Sequence, residues 1–131
     1  MPSSGSRIVV TAAVIERDGR FFVTRRPRGV HLGGLWEFPG GKCEPGESLE
    51  ACLRREIVEE LDTEIQVGAE IYGVTHEYPE RIVELHFFQC RLISEPRAVD
   101  GQEMRWVPRE ELATLEFPPA DGRLIEMLVG G

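Results

Sequence analysis

The sequence predicts one mixed domain of strands and helices, of the α/β or α+β class. The chain has 131 residues, which suits a single domain around one core. Several segments are apolar and β-branched over the length of a strand, and one segment has helical spacing. Strands come first, then a helix, more strands and short helices, an order typical of such a domain. We expect one domain over residues 1–131, with residues 1–6 disordered.

The first two predicted strands form a hairpin. Residues 8–15 are apolar and β-branched, and residues 21–24 continue the strand pattern after the dipeptide Asp18-Gly19. Such a dipeptide between two apolar runs is a strong hairpin signal. A loop dense in Gly and Pro follows, with a short apolar piece at residues 35–38.

A helix is predicted over residues 48–61. Its apolar side chains recur every four residues and form one stripe: Leu49, Leu53, Ile57 and Leu61. Ser48 is a suitable N-cap, and Glu50 in the first turn favours the helix dipole.

The second half of the chain alternates strands with short helices. Residues 64–78 predict one or two strands and residues 81–93 a long strand, with a turn between them. Residues 104–107 form a short strand, and Pro108 at the first helical position opens a short helix. A last helix lies within residues 117–129, and Asp121 is a possible N-cap.

Composition excludes several classes of protein. The net charge of −8 argues against a surface for nucleic-acid polymers, which needs a basic footprint. The chain has no apolar run of membrane-spanning length, and its polar start does not resemble a secretory signal. The three cysteines show no metal-binding spacing, so we expect reduced thiols in the cytoplasm and a packing role for Cys52.

Three glutamates of the predicted helix share one arc. Relative to Glu56, Glu60 lies about 40° to one side and Glu59 about 60° to the other. Arg55 can pair with Glu59 four residues on, whereas Glu56 and Glu60 have no basic residue three or four positions away. The arc is either a solvated acidic face or a site for a hard cation such as Mg²⁺ or Mn²⁺.

The segment from loop to helix resembles a known motif. Residues 40–63, GGKCEPGESLEACLRREIVEELDT, resemble the Nudix box G-x5-E-x7-R-E-U-x-E-E-x-G-U, where U is a bulky aliphatic residue. Asp62 replaces the last Gly and Thr63 the last aliphatic residue. This departure concerns the C-terminal end of the helix and none of the candidate ligands. The segments VTRRP, GLWEFPGGK, HEYPER and EFPPAD extend the resemblance to the MutT-like branch, over about residues 8–128.

The resemblance implies a fold and an activity. The fold is an α/β/α sandwich, with a mixed β-sheet between helices. The activity is Mg²⁺-dependent hydrolysis of a nucleoside triphosphate to the monophosphate and pyrophosphate, with Mn²⁺ as a possible substitute. The best-known substrate of this branch is 8-oxo-dGTP, and the nearest alternative is CTP, dCTP or a methylated pyrimidine nucleotide. Monomer and homodimer stay open.

The resemblance also implies a metal site. Glu56, Glu59 and Glu60 match the metal-binding glutamates, and the carbonyl of Gly40 matches a backbone ligand. Glu103 matches a further metal-binding or base glutamate, or is an ordinary loop acid. The residue that acts as general base varies across the family, so Glu56 is the first candidate for this role and Glu103 the second. Two further box residues support this set: Glu47 as a structural acid and Arg55 as the residue that orients a glutamate.

Five side chains are candidates for substrate binding, each with a simpler structural interpretation. Arg26 contacts phosphate or sugar, or is a surface charge, and Lys42 contacts phosphate or is solvated. Phe38 stacks on a base or belongs to the core. Arg81 reaches the ligand or merely forms a turn. Asp121 reads the base or caps a helix.

Asp121 bears most on base identity. MutT-type members carry Asn there, which offers donors and an acceptor, whereas an ionised Asp only accepts. A carboxylate accepts from N1–H and the amine of guanine, or from the amine of cytosine. Related proteins with Asp at this place include oxidised-purine and pyrimidine hydrolases. His31, His76 and His86 show no metal spacing.

Two other classes of function are disfavoured. A catalytically weak nucleotide-binding module would be free to lose Glu56, Glu59 and Glu60, which are all present. A domain that reads oxidised base pairs beside a DNA glycosylase conflicts with the acidic charge.

Overall fold

The computed structural model of the protein describes residues 6–30 and 33–130. Of the expected disordered start, residues 1–5 lie outside the described residues, whereas Ser6 already belongs to the first strand. His31 also lies outside them. No helix in the described part of the chain is long and apolar enough to cross a membrane.

The described residues form seven strands, two α-helices and two 3₁₀ segments. The 3₁₀ segments are Arg109–Thr114 and Pro119–Asp121. The helices are α1 (Leu49–Leu61) and α2 (Gly122–Gly130). The strands are β1 (Ser6–Arg17), β2 (Arg20–Arg25), β3 (Trp36–Glu37), β4 (Gly40–Lys42), β5 (Ile65–Tyr78), β6 (Arg81–Leu92) and β7 (Met104–Pro108).

The strands form a mixed sheet, as expected. Its main path is β3-β2-β1-β6-β5, with β4 paired to β1 and β7 paired to β2. β1 and β6 are parallel, and the other pairs are antiparallel. The predicted hairpin is confirmed: Asp18 and Gly19 have φ of 53° and 77°, the left-handed backbone that a tight hairpin turn requires.

Each face of the sheet carries its own apolar cluster, because successive side chains of a strand point to opposite faces. Ala13 and Ile15 of β1 pack with Leu53 and Ile57 of α1. Their neighbours Ala12 and Val14 pack on the other face, in a cluster that includes Leu124 and Ile125 of α2. The sheet therefore lies between helices, which confirms the predicted sandwich.

The caps of α1 show how this helix starts and stops. The Ser48 hydroxyl accepts a hydrogen bond from the backbone N–H of Ala51 at 3.1 Å, so Ser48 is the predicted N-cap. Asp62 ends the helix in the left-handed conformation, with φ 52° and ψ 41°. The helix thus exits through the backbone shape that a glycine would adopt most easily.

Two expectations near the C-terminus are wrong in detail. Pro108 ends β7 and precedes the 3₁₀ segment Arg109–Thr114, so it does not occupy the first position of an α-helix. Asp121 ends the second 3₁₀ segment, and its side chain makes no hydrogen bond within the described residues, so it caps no helix there.

Candidate active site

The site is built where β4 passes under α1. A Cβ added at Gly41 would collide with the carboxylate of Glu56, and one at Gly40 with the backbone of Thr11. Backbone contact therefore requires glycine at position 40, whereas a larger residue at position 41 would displace the Glu56 side chain. This contact brings the Gly40 backbone, a predicted metal ligand, beside the glutamates of α1.

Arg55 connects the box residues into one network. Its Nη1 donates to Glu56 Oε2 at 3.0 Å and to Glu59 Oε2 at 3.3 Å. Its Nε and Nη2 hold both oxygens of Glu47, and Nη2 also donates to the carbonyl of Lys42 at 3.1 Å. The pairing with Glu59 follows the predicted spacing. The bond to the adjacent Glu56 was missed, because side chains one position apart do not face each other on an ideal helix.

The three glutamates of the arc differ in their surroundings. The side chain of Glu59 is 58% exposed and that of Glu56 is 15% exposed. Burial raises the pKa of Glu56, although the hydrogen bond from Arg55 opposes the shift. Burial, and then the charges of Glu37 and Glu56, raise the pKa of Glu60 to about 8, against a hydrogen bond from the Gly40 backbone. The arc is therefore half-buried and is not a freely solvated acidic face.

One cavity, here called the first cavity, brings together all five candidate substrate-binding residues. Its volume is about 410 Å³. Glu60 and the Gly40 backbone also line it, so it contains one of the three glutamates of the α1 arc. The substrate candidates in its wall are Arg26, Phe38, Lys42, Arg81 and Asp121.

Phe38 belongs to the core, as one of its two interpretations predicts, and it also lines the first cavity. It is 4% exposed and belongs to the apolar cluster on the α2 side of the sheet. Its ring stacks on Phe117 with centroids 5.3 Å apart, and its edge meets Phe87 at 6.2 Å. It is a core residue that also faces the first cavity.

Asp121 is a buried acid at the wall of the first cavity. It is 5% exposed, and its carboxyl group has no hydrogen-bond partner among the described residues. Burial, and then the charge of Glu37, raise the pKa of Asp121 to about 7. Among the described residues, no fully buried side-chain oxygen lacks a partner, so the oxygens of Asp121 stay accessible from the cavity and can meet a ligand there.

Glu37 is a site residue that the sequence interpretation missed. It lies in β3 directly before Phe38, and its Oε1 is 3.4 Å from Nη1 of Arg26. Burial raises the pKa of Glu37, while Arg26 lowers it. The available signal was an acid inside the short apolar piece at residues 35–38.

A second cavity, of about 520 Å³, adjoins the first. The two cavities share Arg26, Glu37 and Glu60 in their walls. Glu103 lines the second cavity and lies 3.4 Å from Nη1 of Arg25. Glu103 therefore lies in a loop and lines a cleft that also contains Glu60.

The side chains predicted to bind a metal are not arranged around a common point among the described residues. Among residues 6–30 and 33–130, no group of three or more His, Cys, Asp or Glu side chains is arranged to hold a metal ion. The carboxylates of Glu56 and Glu59 are turned toward Arg55. The donor set nonetheless consists of carboxylate and backbone oxygens, the ligands that Mg²⁺ and Mn²⁺ prefer.

Comparison with known proteins agrees with this geometry. The family model described as NUDIX domain matches residues 10–127. A CTP pyrophosphohydrolase of Escherichia coli (strain K12) is 39% identical over 120 residues, which cover 91% of this chain and 89% of that protein. An 8-oxo-dGTP diphosphatase of Haemophilus influenzae is 37% identical over 125 residues, which cover 93% and 91%.

Solved structures agree as well. The solution structure of the E. coli ORF135 protein matches with a TM-score of 0.85 and 37% identity, over 96% of this chain and 91% of that one. The MutT protein from Methanosarcina mazei Go1 matches with a TM-score of 0.85 and 26% identity, over 97% and 96%. The predicted motif, the mixed sheet between helices and these relatives agree: the chain belongs to the Nudix family and is a MutT-like Nudix hydrolase.

Proposed function

We propose that this protein hydrolyses a nucleoside triphosphate to the monophosphate and pyrophosphate, with 8-oxo-dGTP as its leading substrate. The observation that carries the proposal is the first cavity, which has the buried carboxyl group of Asp121 in its wall together with Glu60 of α1. A base held near Asp121 would direct its phosphates toward the box glutamates.

The cofactor proposed for this reaction is Mg²⁺. The Gly40 carbonyl, Glu56, Glu59, Glu60 and Glu103 would hold it. A bound divalent ion neutralises phosphate charge, orients a water molecule and lowers the pKa of that water. Glu56 and Glu59 now bind Arg55, so they would exchange those hydrogen bonds for the ion.

The other residues of the site have distinct proposed roles. Glu56 is the first candidate for the general base and Glu103 the second. Arg55 positions the carboxylates through its three acidic partners. Arg26 and Lys42 bind phosphate, and Phe38 and Arg81 line the base side of the first cavity.

The carboxyl group of Asp121 can form more kinds of hydrogen bond than that of an ionised aspartate. With a pKa of about 7, its carboxyl group is partly protonated at neutral pH, and a protonated carboxyl donates as well as accepts. Guanine offers a carbonyl oxygen beside the N1–H donor, and cytosine offers a ring nitrogen beside its amine. Both edges pair an acceptor with a donor, so Asp121 suits either base.

A cytosine nucleotide is therefore the second candidate substrate. The relative from E. coli named CTP pyrophosphohydrolase is 39% identical to this chain, against 37% for the diphosphatase from H. influenzae. Relatives named for the two substrates therefore match this chain about equally well.

The experiment is pyrophosphate release with Mg²⁺ across 8-oxo-dGTP, dGTP, dCTP, CTP and 5-methyl-dCTP. The proposal expects kcat/KM to be highest for 8-oxo-dGTP. If kcat/KM were highest for the cytosine nucleotides, the proposed reaction would stand and the proposed substrate would change to a cytosine nucleotide. No release from any nucleotide would overturn the reaction.

A further inference from the structure

The two adjoining cavities divide the site into a base end and an open end. Phe38 and Asp121 lie in the wall of the first cavity and are absent from that of the second. The shared wall contains Arg26, Glu37 and Glu60. A nucleotide whose base occupies the first cavity and whose phosphates cross this wall would place its terminal phosphate in the second cavity.

The second cavity contains three arginines, and two of them already have partners. Arg25 donates from Nε to the Gly34 carbonyl at 2.9 Å, approaches Glu103 at 3.4 Å and lies over the Trp36 ring at 5.3 Å. Arg26 pairs with Glu37 at 3.4 Å. Both cations are therefore partly neutralised by groups of the protein.

Arg28 is different from its two neighbours. It lines the second cavity and is exposed, and it has no hydrogen bond or ion pair to any described residue. Besides the three arginines, the cavity contains four acids, Glu37, Glu60, Asp100 and Glu103. This exposed guanidinium lines the cavity that the terminal phosphate would enter.

The backbone around Arg28 turns so that this side chain lies near Gly34. Gly29 has a φ of +90° and Gly34 a φ of +83°. The N–H of Gly34 donates to the Arg26 carbonyl at 3.0 Å, which brings the two ends of the loop together. The side chain of Arg28 then lies next to Gly34, whose carbonyl Arg25 holds.

We infer that Arg28 binds the terminal phosphate of the substrate in the second cavity, and so makes the enzyme prefer nucleoside triphosphates over diphosphates. The inference rests on the proposed function. A guanidinium matches phosphate oxygens through paired N–H donors. A diphosphate with its base in the first cavity is one phosphate shorter and leaves Arg28 without its ligand.

The experiment compares kcat/KM for dCTP, dCDP, 8-oxo-dGTP and 8-oxo-dGDP in wild type, Arg28→Ala and Arg28→Lys. Arg20→Ala is the matched control, because Arg20 is an exposed arginine at the other end of β2. Inhibition by inorganic pyrophosphate is measured in parallel, since it reports the phosphate subsite without the base. Thermal unfolding of each variant checks that it is folded.

Arg28→Ala should lower kcat/KM for the triphosphates about 10- to 100-fold and change it for the diphosphates far less. It should also weaken inhibition by pyrophosphate. Arg28→Lys, which keeps the positive charge, should lose less than Arg28→Ala in both measurements. Equal losses on both substrate classes, or no loss while wild type releases pyrophosphate, would overturn the inference and leave the proposed function intact. Absence of pyrophosphate release by wild type would overturn both.

Discussion

Arg55 grips both carboxylate oxygens of Glu47, through Nε at 2.7 Å and Nη2 at 2.9 Å. Glu47 also accepts from the backbone N–H of Glu44 at 2.9 Å. Hydrogen bonds from Arg55 and from the Glu44 backbone lower the pKa of Glu47 to about 2. The loop before α1 is thus connected through Arg55 to Glu56 and Glu59, which accept hydrogen bonds from the same guanidinium.

Replacing Arg55 by lysine should therefore harm turnover. A lysine ammonium cannot hold Glu47 through two parallel bonds and also reach Glu56 and Glu59. We expect kcat to fall about 100-fold, as misplacement of catalytic groups commonly does, with a smaller change in KM. Arg54→Lys is the control, because Arg54 is exposed on the same helix and its ion pair, with Glu50 at 3.5 Å, lies outside the Arg55 network. Similar kinetics for both variants would contradict the positioning role.

Replacing Glu59 by glutamine should abolish most activity without unfolding the protein. Glu59 is exposed and belongs to the proposed metal site, so its loss weakens metal binding more than packing. We expect turnover to fall at least about 100-fold, with unchanged circular dichroism. Glu50→Gln, on the same helix, is the control and should retain wild-type turnover. A folded Glu59→Gln enzyme with full turnover would remove Glu59 from the metal site.

Asp121 should make stability depend on pH. Burial, and then Glu37, raise its pKa from 3.8 to about 7. The folded state then binds this proton more tightly than the unfolded chain, so the free energy of unfolding falls as pH rises from about 4 to about 7. Glu60, with its pKa raised from 4.5 to about 8, acts in the same direction and extends the fall to higher pH.

The test is the thermal midpoint of Asp121→Asn, measured in chelator between pH 4 and pH 8. The variant should unfold several degrees higher than wild type at pH 8, with the difference vanishing toward pH 4. Glu126→Gln, which removes an exposed acid of α2, should follow wild type throughout. Parallel curves for wild type and Asp121→Asn would show that Asp121 is not a strained buried acid.

Asp62→Gly should stabilise the end of α1. Glycine adopts the left-handed backbone of this position without a Cβ penalty, which favours the variant by up to about 1 kcal/mol. The lost ion pair with Arg97 at 3.0 Å is exposed and offsets only part of this gain. Asp62→Asn removes the ion pair alone and separates the two effects. The measurement is the free energy of unfolding from chemical denaturation. A lower value for Asp62→Gly than for both wild type and Asp62→Asn would refute the explanation.

Short-range patterns in the sequence predicted much of the fold. The Ser48 cap, the apolar stripe of α1 and the Asp18-Gly19 turn each depend on residues a few positions apart. Local backbone physics fixes such features, so spacing alone reveals them. The resemblance to the Nudix box then supplied the candidate ligands.

Contacts between distant segments could not be predicted in this way. Glu37 is a site residue because the packing of β3 buries it between two cavities. The acid within the apolar piece at residues 35–38 is visible in the sequence, but the cavities on either side of it are not. The bridge from Arg55 to Glu47 spans eight residues and depends on how the loop folds back over the helix. The absence of a capping bond from Asp121 likewise depends on the cavity that it faces.

We propose that the glutamates of α1 and their neighbours support metal-dependent cleavage that releases pyrophosphate. The most direct measurement follows pyrophosphate and orthophosphate released from 8-oxo-dGTP and dCTP by metal-free enzyme, before and after addition of Mg²⁺. We predict pyrophosphate from at least one of them only after Mg²⁺ is added, with no orthophosphate. Equal release without a divalent ion, or orthophosphate as the product, would contradict the claim.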